Sequence, residues 1–183
     1  GLTINGGKFI NNTAWAPTGK EGRYDNVKHN DLFYAVPTTI TGGIFGTEIY
    51  GSCTGTAAQD DAVTPLGYEE FVIGWDENGN ANLWEVAPGW MITFLDENGN
   101  ELQYGPVREG EIPVFEGEIE SRGESWGWSW EPVLAPATEP ATYTLVWTHY
   151  VAEVVKPGST EPPVRYTTLA DAVAAAEDGD LYG

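Results

Sequence analysis

Three tryptophans, Trp126, Trp128 and Trp130, alternate in Trp-Gly-Trp-Ser-Trp. At the two-residue period of a strand they share one face. Such a row could form a flat apolar platform on which sugar rings stack, with nearby carboxylates holding hydroxyls. The same alternation also fits a packing role, because one face of a sheet usually turns inward and this stretch is short of Leu and Ile. Asp76, Asn78 and Asn80 alternate in Asp-Glu-Asn-Gly-Asn, and an identical pentapeptide supplies Asp96, Asn98 and Asn100. Calcium takes about six to eight oxygen ligands, and these sets offer oxygens at the right kind of spacing. Glycine stands fourth in each rather than sixth, however, and no glutamate follows at the twelfth place. A tight hairpin turn explains both pentapeptides without an ion, and calcium is the one cofactor considered.

Paired carboxylates are numerous: Glu69 with Glu70, Glu109 with Glu111, and Glu116, Glu118 and Glu120. Glycosidases hold two acids about 5 to 9.5 Å apart. In so acidic a chain, density alone singles out no pair, and Glu116-Gly117-Glu118-Ile119-Glu120 reads more simply as the wet face of a strand. His29 and His149 lack metal-ligand spacing, and a transition-metal site needs three or four clustered ligands. Cys53 stands alone in Gly51-Ser52-Cys53-Thr54-Gly55, with no partner for a disulfide and no positioned base to activate it. The expectation is a chain without catalytic residues.

Positioning such groups takes a folded body, and the chain has material for one. It has 183 residues, 41% of them hydrophobic, and 8 Trp and 9 Tyr, far too aromatic for a disordered polymer. Eight Lys and Arg oppose 28 Asp and Glu, for a formal net charge of -20. That surface repels phosphate backbones and anionic headgroups, which excludes nucleic acid and electrostatic membrane binding as functions. Between Leu66 and Val155 the only cations are Arg108 and Arg122. No apolar run approaches the roughly 20 residues of a membrane span. The chain opens at Gly1 rather than Met and shows no leader, so it reads as an internal or trimmed stretch of a longer protein.

Glycine and proline punctuate short runs of Ile, Val, Thr, Phe, Tyr and Trp, which predicts β structure almost throughout. Residues 1–86 carry a near-repeat, Ile4-Asn5-Gly6-Gly7-Lys8-Phe9 and Ile40-Thr41-Gly42-Gly43-Ile44-Phe45, offset by 36 residues. Ile4 and Ile40 fit inward positions, and the glycine pair permits a turn with positive φ before the phenylalanine points inward again. Stacked coils are built in this way. Residues 15–30 read as a polar excursion. Phe71–Trp75 and Asn82–Val86 flank the first Asn-Gly pentapeptide as a hairpin. In residues 87–150, Trp90–Leu95, Glu101–Tyr104 and Ala141–Thr148 read as strands, with a turn at Glu109-Gly110. In residues 151–183 a Pro-rich linker precedes one helix, capped by Thr168 with Asp171 three residues on, burying Leu169, Val173 and alanines, and stopped by Gly179.

These patterns resemble three modules of long Gram-positive surface proteins. Phe94, Asp96 to Gly99, Val107 to Gly110, Trp128 to Trp130 and Ala141 to Tyr143 resemble the internalin-type B repeat, over about a third of the chain. The cluster of tryptophans departs from that repeat's usual Phe-x-Gly-Trp. The Ile-x-Gly-Gly-x-Phe motif, with Leu83-Trp84-Glu85-Val86 after it, resembles the end of a right-handed β-helix module. Tyr166 to Val173 resembles the start of a further such module. The resemblance implies an extracellular, cell-wall-associated setting and no catalytic residues.

The sequence therefore predicts a mainly β fold: short β-helix-like coils over 1–86, a small β-sheet repeat module over 87–150, and a linker with a strand-turn-helix over 151–183. The expected function is that of a non-catalytic stalk or adhesin segment, with a protein or glycan as its ligand. The alternative is a carbohydrate-binding module that uses the tryptophan platform. Open strand edges invite pairing with another chain.

Overall fold

The computed structural model describes residues 2–10, 33–34, 38–46, 50–51, 64–75, 77–79, 81–177 and 179–182. The fold is mainly β, with one short C-terminal helix among these residues. In chain order the strands are β1 (Leu2–Phe9), β2 (Phe33–Tyr34), β3 (Thr38–Phe45), β4 (Tyr50–Gly51), β5 (Tyr68–Trp75), β6 (Ala81–Leu95), β7 (Glu101–Arg108), β8 (Trp126–Glu131), β9 (Ala141–His149), β10 (Ala152–Val155), β11 (Val164–Tyr166) and β12 (Leu181–Tyr182); helix α1 is Leu169–Ala175. Two compact units divide them. The first comprises Gly1–Ile92, Gly105–Pro113 and Pro136–Ala141; the second comprises Thr93–Tyr104, Val114–Ala135 and Thr142–Gly183.

In the first unit the two copies of the near-repeat lie side by side. β1 and β3 pair in parallel with like opposite like: Ile4 faces Ile40 and Phe9 faces Phe45. The two phenyl rings stack 5.1 Å apart and 5° from parallel. Ile4, Ile40, Phe45 and Val86 form the buried core, with Phe9, Tyr68 and Trp84 packed against it. The inward positions expected for Ile4 and Ile40 are thus the ones they occupy. The glycine pair does not make a turn between strands. Each strand runs on through it, with a shift of register at Asn5. The two glycines of the second copy answer different needs. A Cβ on Gly42 would run into the Asn5 carbonyl, while Gly43 has φ of +126°, which L side chains resist.

β5 and β6 form the expected antiparallel hairpin, with Phe71 opposite Glu85 and Val72 opposite Trp84. β6 then pairs β3 on its other side, Phe45 opposite Trp84. Residues 86 and 87 both lie inside β6, which is continuous over 15 residues. Gly89 is buried there, and a Cβ on it would meet the Phe71 ring and the Val107 carbonyl, at 2.5 and 2.9 Å. Arg108 pairs with Glu85 and lies over the Phe71 ring, 4.4 Å from its centroid.

Among the described residues the second unit holds two local cores. β8 and β9 are antiparallel, with Trp126 opposite His149, Trp128 opposite Trp147 and Trp130 opposite Leu145. Phe94, Phe115, Trp130 and Tyr143 pack their rings together at one end of this pair. Residues 111–125 contain no regular secondary structure. The strand expected at Glu116–Glu120 is instead an irregular strap, with Glu116, Glu118 and Glu120 exposed and Ile119 half-buried. Gln103 explains why no ladder is needed. Its side chain donates to the Val114 carbonyl at 3.0 Å and accepts from Glu116 N–H at 2.8 Å, standing in for strand partners.

The other core joins β10, β11 and β12, in the order β11-β10-β12, with α1. Thr168 caps the helix as expected, accepting from Asp171 N–H at 3.1 Å. The buried side differs from expectation. Ala172 is fully buried against Ala152 and Val154, whereas Leu169 and Val173 are exposed. The helix also ends at Ala175, before Gly179. A seven-residue helix has fewer than two turns, and of its residues Ala172 alone is buried.

Candidate functional site

The tryptophan row sits where its period placed it. Trp126, Trp128 and Trp130 alternate along β8, and their cross-strand partners His149, Trp147 and Leu145 extend the same face. The face changes character along its length. Trp130 is only 9% exposed, 4.7 Å from the Phe94 ring and 5.2 Å from Phe115. Trp128 is 47% exposed and meets Trp130 edge to face at 6.0 Å. Trp126 is half-buried and tilts against the His149 ring at 4.6 Å.

Trp147 was not singled out from the sequence, yet it completes the row. Arg122 lies over it at 4.3 Å and near Trp126 at 5.9 Å, and an ion pair with Glu97 holds the guanidinium there. A cation over an indole face is attracted by the ring quadrupole, by roughly 0.5 to 1 kcal/mol when exposed. The guanidinium therefore occupies an aromatic face that a sugar would need. Both cations of the acidic stretch are placed alike: each pairs with a glutamate and each covers an aromatic ring. Beside Arg122 is a groove of about 290 Å³ whose lining includes Asp96, Glu97, Glu118 and Trp147.

The second pentapeptide is a hairpin turn closed by its own amides. Asp96 N–H donates to the Asn100 carbonyl at 2.8 Å and Gly99 N–H to the Asp96 carbonyl at 3.1 Å. One Asp96 carboxylate oxygen accepts from the backbone N–H of Asn98 and of Asn100, both at 2.8 Å; the other accepts from the Asn100 side-chain amide at 2.7 Å. Gly99, with φ of +86°, completes the three-residue loop of a type I turn with a glycine bulge. Donation from Asn100, then from Asn98, holds the Asp96 carboxyl below the usual range for an aspartate. Three of its acceptor positions are thus taken up inside the turn. In the first pentapeptide, Asn78 is exposed and Gly79 has φ of +81°, while Asp76 and Asn80 lie outside the described residues.

No protein-family model, curated protein or solved structure matches this chain. Among the described residues no three His, Cys, Asp or Glu side chains group as metal ligands, and no helix is long and apolar enough to cross a membrane. Cys53 and His29 lie outside the described residues. Of the carboxylate pairs, Glu69 and Glu70 are half-buried on β5, and burial raises the Glu69 carboxyl above its ordinary range. Consecutive strand residues point to opposite faces, so these two do not converge. Glu109 and Glu111 flank the Gly110 turn and are exposed.

Proposed function

We propose that the chain is a non-catalytic stalk or adhesin segment of an extracellular bacterial surface protein. The observation that carries this reading is the use made of its aromatic residues. Trp130 fills a core with Phe94, Phe115 and Tyr143, and Trp147 lies under Arg122. Residues that could have built a site serve instead to close small β cores, which a segment under tension needs along its length. The in-register pairing of β1 with β3 supports coils of a β-helix-like kind in residues 1–86. The high acidity supports an exposed, hydrated setting rather than a nucleic-acid or anionic-membrane partner.

The partial exposure of Trp128 favours a second reading, a carbohydrate-binding module that uses the tryptophan face. Two experiments test the surface and non-catalytic roles, and a third separates the two readings. Antibodies raised against the chain should label intact cells of the producing bacterium, and labelling only after permeabilisation refutes the surface role. A polysaccharide panel incubated with the chain should release no reducing ends. Saturable glycan binding that Trp128→Ala abolishes would replace the stalk reading with the second.

A further inference from the structure

A groove of about 460 Å³ opens on the second unit, where the end of the β8–β9 pair meets the β10–β11 pair. Ser125, Tyr150, Val151, Glu153, Pro163 and Arg165 line it. Backbone bonds fix its walls: Tyr150 N–H donates to the Ser125 carbonyl at 2.7 Å, and Val151 N–H to the Tyr166 carbonyl at 2.9 Å. Glu153 and Arg165 are direct cross-strand partners, with Arg165 Nε 3.9 Å from the Glu153 carboxylate. The Arg165 guanidinium also lies 6.0 Å from the Tyr150 ring centroid.

Gly127 makes the seat for that ring. A Cβ on Gly127 would come within 2.8 Å of Tyr150 Cε2, so a side chain there would push the ring from its seat. Successive strand residues point to opposite faces, so Tyr150 is seated on the face opposite Trp126 and Trp128. The Trp-Gly-Trp sequence thus serves two faces at once: tryptophans on one, and a gap for Tyr150 on the other.

The groove gathers complementary polar groups. Arg165 supplies fixed donors, Glu153 supplies acceptors, and the Ser125 and Tyr150 hydroxyls can do either. Val151 and Pro163 add apolar surface beside them. Donors and acceptors next to small apolar patches suit a pyranose, which has hydroxyls at its rim and C–H groups on its faces. The net charge of -20, and a lining in which Glu124 and Glu153 outnumber Arg165, disfavour an anionic ligand. We propose that this groove binds a neutral oligosaccharide. The proposal goes beyond the stalk role and does not depend on it or on the tryptophan face.

The test is an amide NMR titration of the full chain with cellohexaose, xylohexaose and mannohexaose, and with oligogalacturonate as the anionic control. Saturable shifts are expected at Ser125, Tyr150, Val151, Glu153 and Arg165 with at least one neutral oligomer and none with the anionic one. Arg165→Gln and Glu153→Gln should each weaken binding about tenfold. Trp128→Ala should leave it unchanged. Should either charge variant lose the β8–β9 amide pattern, Ser125→Ala, outside any strand, carries the same comparison. No saturable shift with any neutral oligomer overturns the proposal. So does unaltered binding by the variants, or a shift centred on Trp128 and lost in Trp128→Ala, which would move binding to the opposite face. None of these outcomes bears on cell-surface labelling, so the stalk reading stands or falls separately.

Discussion

Trp130 and Trp128 sit two residues apart on one strand face, yet the structure assigns them different work, and their truncation should show it. A tryptophan side chain buries roughly 200 Å² when fully enclosed. At 9% exposure, Trp130 hides roughly 180 Å², worth at most about 4.5 kcal/mol at ~25 cal/mol per Å². At 47% exposure, Trp128 hides roughly 105 Å², worth at most about 2.6 kcal/mol on the same scale. The difference, about 2 kcal/mol, is the robust quantity, because errors in the unfolded reference largely cancel. Trp130→Ala also strips a ring partner from both Phe94 and Phe115, whereas Trp128→Ala removes one edge contact. In urea unfolding followed by far-UV circular dichroism, with a slope near ~1 to 2 kcal/mol per M, the Trp130→Ala midpoint should fall about 1 to 2 M below that of Trp128→Ala. Equal midpoints, or a lower one for Trp128→Ala, would refute the division of this face into a core end and a surface end.

Four further outcomes follow from the same geometry. Asp96 should titrate below the usual aspartate range by carboxyl NMR; because its folded value is depressed, its contribution is present above the unfolded pKa and lost as pH falls through the folded one, and adding calcium should produce no saturable shift at Asp96 to Asn100 while that network holds. Glu69 is raised by burial, so stability should decline as pH rises from its ordinary value through its folded one; Glu69→Gln should flatten that slope in thermal melts, and an unchanged slope would count against it. Gly42→Ala should abolish amide-exchange protection across β1 and β3, because its Cβ meets backbone, whereas Gly99→Ala, with open space around it, should cost only the left-handed strain of about 1 to 2 kcal/mol. Arg122→Ala should lower stability by about 1 kcal/mol and raise acrylamide quenching of tryptophan fluorescence, and unchanged quenching would mean that the guanidinium does not cover Trp147.

The sequence by itself determined the local elements. The two-residue period of Trp126, Trp128 and Trp130, the Asn-Gly pentapeptide of residues 96–100 and the Thr168 cap each specify a conformation from neighbours alone, and each forms as read. The repeat offset of 36 residues likewise set Ile4 against Ile40. Tertiary structure decided what depends on partners distant in sequence. Leu169 and Val173 are apolar, but only Ala172 finds a surface to bury against. Glu116–Glu120 has the alternation of a strand, but Gln103 ties the strap instead of a ladder. Whether a tryptophan is core or platform depends on what lies over it, and period alone cannot name Phe115 or Arg122. The groove at Tyr150 is the extreme case. Its lining comes from segments up to about 40 residues apart in sequence, and its key position is a glycine, Gly127, whose role is to leave space.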